Sequence, residues 1–126
     1  MASAILSSRL TRVVSVVTGA AAAYVGLAIL VYWAYFTIGD SIYDRTVREG
    51  TDTVQALFYV ALAVHLLGSL SATLALTIWT NAPFLPTLAL SAIVLGIFVL
   101  FTLGALTGAN FDHYDIEFPV RGWANR

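Results

Sequence analysis

Residues 53–111 read TVQALFYVALAVHLLGSLSATLALTIWTNAPFLPTLALSAIVLGIFVLFTLGALTGANF, which is 59 positions without an Asp, Glu, Lys or Arg. The hydrocarbon core of a bilayer is about 30 Å thick, and a helix needs about 20 apolar residues to cross it. The stretch is therefore too long for one crossing and long enough for two. A second charge-free stretch, residues 13–39, supplies a third crossing.

The composition of the whole chain agrees with this interpretation. Of its 126 residues, 60% are hydrophobic and 10% are charged, whereas soluble domains carry about 25% charged residues. The net charge of −1 gives no basic surface of the kind that nucleic acids require. The chain lacks cysteine, which excludes disulfides and cysteine nucleophiles. We expect one membrane domain, residues 1–126, whose partners are lipids and other membrane proteins and not nucleic acid.

We predict an all-α fold of three transmembrane helices over residues 13–38, 54–79 and 88–109. Backbone groups in lipid must be hydrogen-bonded internally, which favours helices over an open sheet. Pro83 and Pro86 interrupt the second long stretch, because proline lacks an amide donor and restricts the residue before it. This break predicts a short antiparallel hairpin between the second and third helices. Residues 39–53 are predicted as an extramembrane loop and residues 110–126 as an extended tail.

Aromatic residues lie near the ends of the predicted spans. Amphipathic rings favour the membrane–water interface, so we interpret these residues as interfacial. Trp79 closes the second span, and a cluster lies towards the end of the first span: Tyr32, Trp33, Tyr35 and Phe36.

Three crossings place the two termini on opposite sides of the membrane. Arg9 and Arg12 precede the first span, and the first span usually dominates orientation. All seven acidic residues lie on the other side, in residues 39–53 and in the tail. We expect the amino terminus on the cytoplasmic side, or on the matrix or stromal side in an organelle, with the carboxyl terminus opposite. The choice between a plasma membrane and an organellar inner membrane stays open.

Small residues recur at helical spacing in all three spans. Helices in lipid associate through close packing of small side chains, since lipid tails are as apolar as leucine. The pattern predicts packing faces within the bundle, against another chain, or both. The predicted helix-packing residues are Gly19, Ala23, Gly26, Gly68, Ala72, Gly96, Gly104 and Gly108.

His65 lies near the middle of the second span, where an ionisable residue is costly and often indicates a function. Its neighbours one or two turns away are small, among them Ala61, Gly68 and Ala72, so a bulky group has room to approach. We consider His65 as a ligand of haem b or a contact of a quinone, against a plain hydrogen bond to a neighbouring helix. Proton handling is a further alternative. No firm cofactor, catalytic residue or metal site is predicted.

Three spans with one histidine in the middle helix resemble, in topology, the haem-bearing membrane anchors of succinate dehydrogenase. The resemblance implies a haem at His65, with its second axial ligand from another subunit because His113 lies beyond the third span. The polar and charged residues that such anchors place near the haem helix are absent here. The likeness is one of architecture and not of family membership.

Apolar and polar residues alternate in the tail after the third span. A period of two is typical of a strand, and Pro119 limits it to an edge strand or an extended arm. We predict docking on a partner chain by strand addition or groove binding. The docking residues would be Tyr114, Ile116, Phe118 and Val120.

These features together predict a non-catalytic accessory or structural subunit of a larger membrane complex. Ion-coupled transporters carry charged residues within the membrane, and the predicted spans have none. Energy-transducing complexes, respiratory or photosynthetic, hold many such subunits, so electron transport is the expected context. One alternative is an electron-transfer anchor in which His65 binds haem b or a quinone. Another is a self-assembling homo-oligomeric membrane or envelope protein.

Overall fold

The computed structural model describes the backbone of residues 2–45 and 49–114 and the side chains of residues 8–42 and 53–114. These residues form three helices and no strand: α1 is Ala2–Arg45, α2 is Glu49–Trp79 and α3 is Phe84–Tyr114. Each holds a stretch long and apolar enough to cross a membrane. The prediction of an all-α chain with three such helices is confirmed.

All three helices extend beyond the predicted spans. Residues 39–45 continue α1, and residues 49–53 begin α2, although both belonged to the predicted loop. Residues 110–114 form the last turn of α3 instead of the start of an extended tail. The predicted boundaries followed the loss of hydrophobicity, whereas backbone helicity does not require an apolar side chain. Ile116, Phe118 and Val120 lie outside the described residues.

A compact cap ends α2. Asn81 has a φ of 54°, a left-handed conformation that asparagine adopts more readily than most residues. Its amide donates to the carbonyl of Ile78, and the next amide, of Ala82, donates to the carbonyl of Thr77, each over 3.2 Å. This pair of hydrogen bonds is the Schellman motif, which satisfies carbonyls at a helix end. The cap stops α2 before either proline is reached.

The two prolines of this region have different positions in the structure. Pro83 accepts a 3.2 Å hydrogen bond from the Thr87 amide and so precedes the first turn of α3. Pro86 lies inside that first turn, where a missing amide costs nothing because no intrahelical acceptor is available. The connection between α2 and α3 is therefore residues 80–83, shorter than residues 80–87, which lie between the predicted second and third spans.

The order of contacts along α1 defines how the helices run. Gly19 lies against Leu76, whereas Tyr35 packs on Phe58 with ring centroids 5.8 Å apart. Because α1 meets α2 in reverse order, these two helices are antiparallel. Their packing is the most extensive in the bundle.

Helix α3 runs parallel to α1. Tyr24 of α1 contacts Thr102, and further along Tyr35 contacts Asn110. Packing of α3 on α2 is the least extensive of the three helix pairs.

Polar side chains occur in the interior of the bundle along most of its length, among apolar ones such as Val16 and Ala20, and the exterior is apolar. Large aliphatic and aromatic side chains point outwards on all three helices, which is the arrangement expected where the surroundings are lipid instead of water. The buried polar residues are His65, Ser69, Thr73, Thr77, Thr87, Ser91, Thr107 and Asn110. A cluster of larger side chains, here called the aromatic core, occupies the other end: Tyr32, Tyr35, Val54, Phe58, Ala61, Leu106 and Tyr114.

The predicted packing residues divide into inward and outward groups. A Cβ on Gly19 would lie 3.0 Å from Leu76 Cδ1, and a Cβ on Gly68 would lie 3.1 Å from Leu27 Cδ1. Ala23, Ala72 and Gly108 are partly exposed. The outward group, with nothing within 4 Å of the Cβ position, is Gly26, Gly96 and Gly104.

We expect Gly68→Leu to lower the stability of the bundle by about 1–3 kcal/mol, since extra bulk in a close contact forces neighbouring groups apart. Gly26→Leu is the matched control because it adds the same side chain where the surroundings are open. Thermal unfolding in detergent, followed by circular dichroism, measures the difference. Equal midpoints for the two variants would contradict the packing described.

Candidate functional site

The imidazole of His65 is fully buried between α1 and α2. Its Nδ1 lies 2.8 Å from the hydroxyl of Tyr32, and its Nε2 lies 3.0 Å from the backbone carbonyl oxygen of Tyr24. Both partners belong to α1, two helical turns apart. The small residues around His65, which we expected to admit a bulky group, instead admit α1.

The hydrogen-bond partners define the protonation of the ring. A carbonyl oxygen can only accept, so Nε2 carries the proton and donates to Tyr24. Nδ1 is then the acceptor for the Tyr32 hydroxyl. His65 is therefore a neutral imidazole with both nitrogens satisfied, the state that is least costly to bury away from water.

Tyr24 connects this pair to the third helix. Its ring packs on the imidazole with centroids 4.1 Å apart, and its hydroxyl donates a 2.8 Å hydrogen bond to Thr102 Oγ1. Thr102 in turn donates to the carbonyl of Phe98 over 2.7 Å. One side chain of α1 thus contacts both neighbouring helices at the same level.

A ladder of hydroxyl groups continues from His65 along α2. Ser69, Thr73 and Thr77 each donate to the carbonyl four residues earlier, over 2.7–2.8 Å. This local pairing is common for Ser and Thr within helices. Because these hydroxyls are paired within α2, small side chains can form its buried face without leaving polar groups unpaired.

Two buried hydroxyls on α3 differ from that pattern. Thr87 Oγ1 and Ser91 Oγ are inaccessible and make no hydrogen bond within the part of the chain that the structure describes. Both lie near the amino-terminal end of α3.

A second polar cluster joins the carboxyl-terminal ends of α1 and α3. Asp40 Oδ1 accepts hydrogen bonds from Tyr114 Oη at 2.7 Å and from His113 Nε2 at 2.6 Å. The Tyr114 hydroxyl is also 3.2 Å from the carbonyl of Phe36. Gly39 permits this approach, since a Cβ there would lie 2.7 Å from the same hydroxyl.

One turn further into the bundle, Tyr35 donates to Asn110 Oδ1, while the amide of Asn110 donates to the carbonyl of Leu106 over 2.8 Å. Tyr35 and Asn110 are both buried. The carboxyl-terminal ends of α1 and α3 are therefore joined by hydrogen bonds at two successive levels, one at Asp40 and one at Tyr35.

Sequence reasoning identified His65 and missed most of its partners. Tyr24 and Tyr32 are eight residues apart and so share one face of α1, a signal that was available in the sequence. Tyr32 and Tyr35 had been interpreted as interfacial rings, yet both point inwards. Asp40 and His113 were not paired in the prediction because 73 positions separate them.

Tyr114, predicted as the first residue of a docking strand, is buried in the last turn of α3. Its hydrogen bonds to α1 hold it within the bundle. The other predicted docking residues lie outside the described part of the chain, so docking by the tail stays a prediction.

A groove of about 370 Å³ opens between α1 and α3 beside Tyr24. Its walls are almost entirely apolar, with Ala28, Phe98 and Phe101 among them. The polar atoms that it reaches, Tyr24 Oη and Thr102 Oγ1, are already hydrogen-bonded to each other. The groove suits an apolar chain better than a group that needs a hydrogen-bond donor.

Three long apolar helices, whose buried polar groups are mostly hydrogen-bonded among the described residues, are consistent with a multi-pass integral membrane protein. Comparisons of the chain with protein-family models, with curated proteins and with solved structures found no match. Function is therefore argued from the site itself.

We expect Tyr32→Phe to lower the free energy of unfolding by about 1 kcal/mol, because it removes the donor to His65 Nδ1 in a dry interior. In a His65→Leu background the same change should have little effect. Tyr59→Phe is the control, as it removes an exposed hydroxyl that is not bonded to His65. Unfolding in mixed micelles measures all four variants, and an undiminished effect in the His65→Leu background would contradict the pairing.

Proposed function

We propose that this protein is an accessory subunit of a larger membrane complex, which it stabilises by packing its outer helix faces against neighbouring chains. The observation that carries the proposal is the division of its small residues. Gly19 and Gly68 serve contacts between α1 and α2, whereas Gly26, Gly96 and Gly104 face outwards and have no described atom within 4 Å of the Cβ position.

An outward-facing glycine destabilises its helix, and contact with lipid does not compensate for this. A glycine in a helix is about 1 kcal/mol less favourable than alanine, and it offers lipid chains less surface to contact than a larger residue. Close approach of another helix compensates for this loss of helix stability, because small residues let two backbones come together. Two of these glycines lie on α3, the least buried of the three helices.

The internal polar groups support a structural role for the site. His65, Tyr24 and Tyr32 use their polar atoms to hold α1 against α2 and α3. Ligation of a haem iron by His65 would require one of these hydrogen bonds to break and α1 to move aside. The electron-transfer alternative is for this reason less well supported than the accessory role.

The remaining parts of the proposal concern topology and context. We propose that α2 and α3 cross the membrane as an antiparallel hairpin joined by residues 80–83, with the amino terminus on the cytoplasmic, matrix or stromal side. Arg9 and Arg12 at that end support the orientation. We propose that the complex is respiratory or photosynthetic, because small accessory subunits of this kind are frequent in such complexes.

The proposal is tested by purification from native membranes in mild detergent, with partners identified by mass spectrometry. We expect stoichiometric recovery with larger subunits. Recovery of this chain alone as a homo-oligomer would contradict the accessory role and favour self-assembly. A Soret absorption band that is lost in His65→Ala would instead favour the haem anchor.

We expect the double variant Gly96→Leu and Gly104→Leu to reduce recovery with partner chains while the isolated protein stays folded, because a Cβ at either position has no described atom within 4 Å. Ala63→Leu, on the exposed face of α2, is a control for added bulk on another face. Co-purification and thermal unfolding are measured on the same preparations. Unchanged recovery of partners would show that this face of α3 is not an interface.

We expect deletion of residues 115–126 to weaken association with the complex in mild detergent, if those residues dock on a partner. The deletion keeps Tyr114, so the hydrogen bonds between α3 and Asp40 remain. A control deletion of residues 114–126 should in addition destabilise the bundle. Full retention of the shorter chain in the complex would show that the helices alone suffice.

A further inference from the structure

Exposed tryptophan and tyrosine rings occur at two levels of the bundle. Among the described side chains, the exposed rings of these two types are Trp33 at 70%, Tyr59 at 45% and Trp79 at 82%. Such rings concentrate at the membrane–water interface. Since Tyr35 packs on Phe58, Trp33 and Tyr59 lie within about one turn of the same level.

The distance between the two levels matches the thickness of a bilayer. Twenty residues of α2 separate Tyr59 from Trp79, which at 1.5 Å per residue is about 30 Å. On α1, Val16 lies near the level of Trp79, because Gly19 packs on Leu76, three residues before Trp79. The 17 residues from Val16 to Trp33 span about 26 Å. The hydrocarbon core is about 30 Å thick.

The outer surface changes at the level of Trp33 and Tyr59. Between the two aromatic levels the exposed side chains are mostly large and apolar. Beyond Trp33 and Tyr59, within residues 34–42, 53–58 and 110–114, Ile38 is the only exposed large hydrophobic residue. The other exposed positions of those segments are Thr37, Ser41, Thr53, Ala56, Asp112 and His113.

The interior also differs along the bundle. Towards Trp79 it holds hydroxyl groups, His65 and small or medium-sized side chains, with Val13 and Val16 as its aliphatic members, which suits packing in lipid. Beyond the level of Trp33 and Tyr59 it holds four members of the aromatic core: Tyr35, Val54, Phe58 and Tyr114. Burial of large apolar side chains is strongly driven only where the alternative is contact with water. This part of the aromatic core therefore fits a segment that stands in water.

We infer that the lipid bilayer surrounds this protein between the level of Trp79 and the level of Trp33 and Tyr59. Beyond Trp33 and Tyr59, the bundle projects into water as a folded platform. The platform comprises residues 34–45, 49–58 and 110–114. It extends about 18 Å along α1 from Trp33 to Arg45. Its surface presents the Asp40–His113 pair, whose side chains are about half exposed.

A membrane boundary set by hydrophobicity alone would lie at a different level of the bundle. Residues 13–38 and 54–79 each span about 39 Å as helices, so a bilayer that covered them would have to thicken or the helices tilt steeply. Under that alternative, Thr37 and Ala56 lie in hydrocarbon. With the bilayer between the two aromatic levels, both residues lie in water.

The absence of native cysteine makes the test direct. Single substitutions Thr37→Cys and Ala56→Cys are introduced into the full chain, which is then reconstituted alone in phosphatidylcholine vesicles. A charged maleimide, which does not enter lipid, is added after freeze–thaw opening so that both faces are reached. Only a thiol in water ionises and reacts. Both positions are exposed helix surface, so the substitutions disturb no packed contact.

We expect complete labelling of Thr37→Cys and Ala56→Cys in vesicles, equal to that in denaturing detergent. Ile29→Cys and Val64→Cys, exposed on the same helices between the aromatic levels, should stay unlabelled in vesicles and react in detergent. Ser41→Cys controls for access to that face. Protection of both Thr37→Cys and Ala56→Cys, with Ser41→Cys labelled, would overturn the inference. The result does not depend on whether the protein is an accessory subunit.

Discussion

Lipid offers a buried polar atom no hydrogen-bond partner, so a partner has to come from protein, and His65 meets that need with both of its ring nitrogens. The Tyr24 carbonyl fixes which nitrogen holds the proton, and the Tyr32 hydroxyl pairs with the other. Because these partners lie two turns apart on α1, a shift of α1 along α2 by one residue would break both bonds. The register of the two helices thus rests on one imidazole, and the contact of Tyr24 with Thr102 extends that register to α3.

The two ends of the molecule are stabilised by different physics. Where lipid surrounds the helices, the hydrophobic effect does not drive them together, and small residues, hydroxyl groups and the His65 hydrogen bonds hold the interior. At the end beyond Trp33, buried aromatic and aliphatic side chains form a core of the kind found in water-soluble bundles. Asp40 then closes that end by accepting from two residues of α3. A change of solvent along one continuous helix pair is thereby matched by a change of core.

The sequence predicted what depends on lipid and missed what depends on contacts between distant residues. Charge-free stretches located the three helices, since only apolar side chains are stable in hydrocarbon. The helix ends were not predicted, because residues 39–45 and 49–53 keep helical backbones without being apolar. His65 was found by its cost in lipid, whereas the direction in which Tyr32 and Tyr35 point depends on where α2 lies. No periodicity in the sequence linked Asp40 to His113 and Tyr114.

The pinning of Tyr114 has a consequence for whatever follows it in the chain. Its hydroxyl is held by Asp40 beside Gly39, so the end of α3 is fixed relative to α1. If residues 115–126 contact a partner that already contacts the helices, the second contact is intramolecular, with an effective concentration of about millimolar for a short linker. Two individually weak contacts, one in the membrane and one in water, would then combine into a long-lived attachment without either being strong.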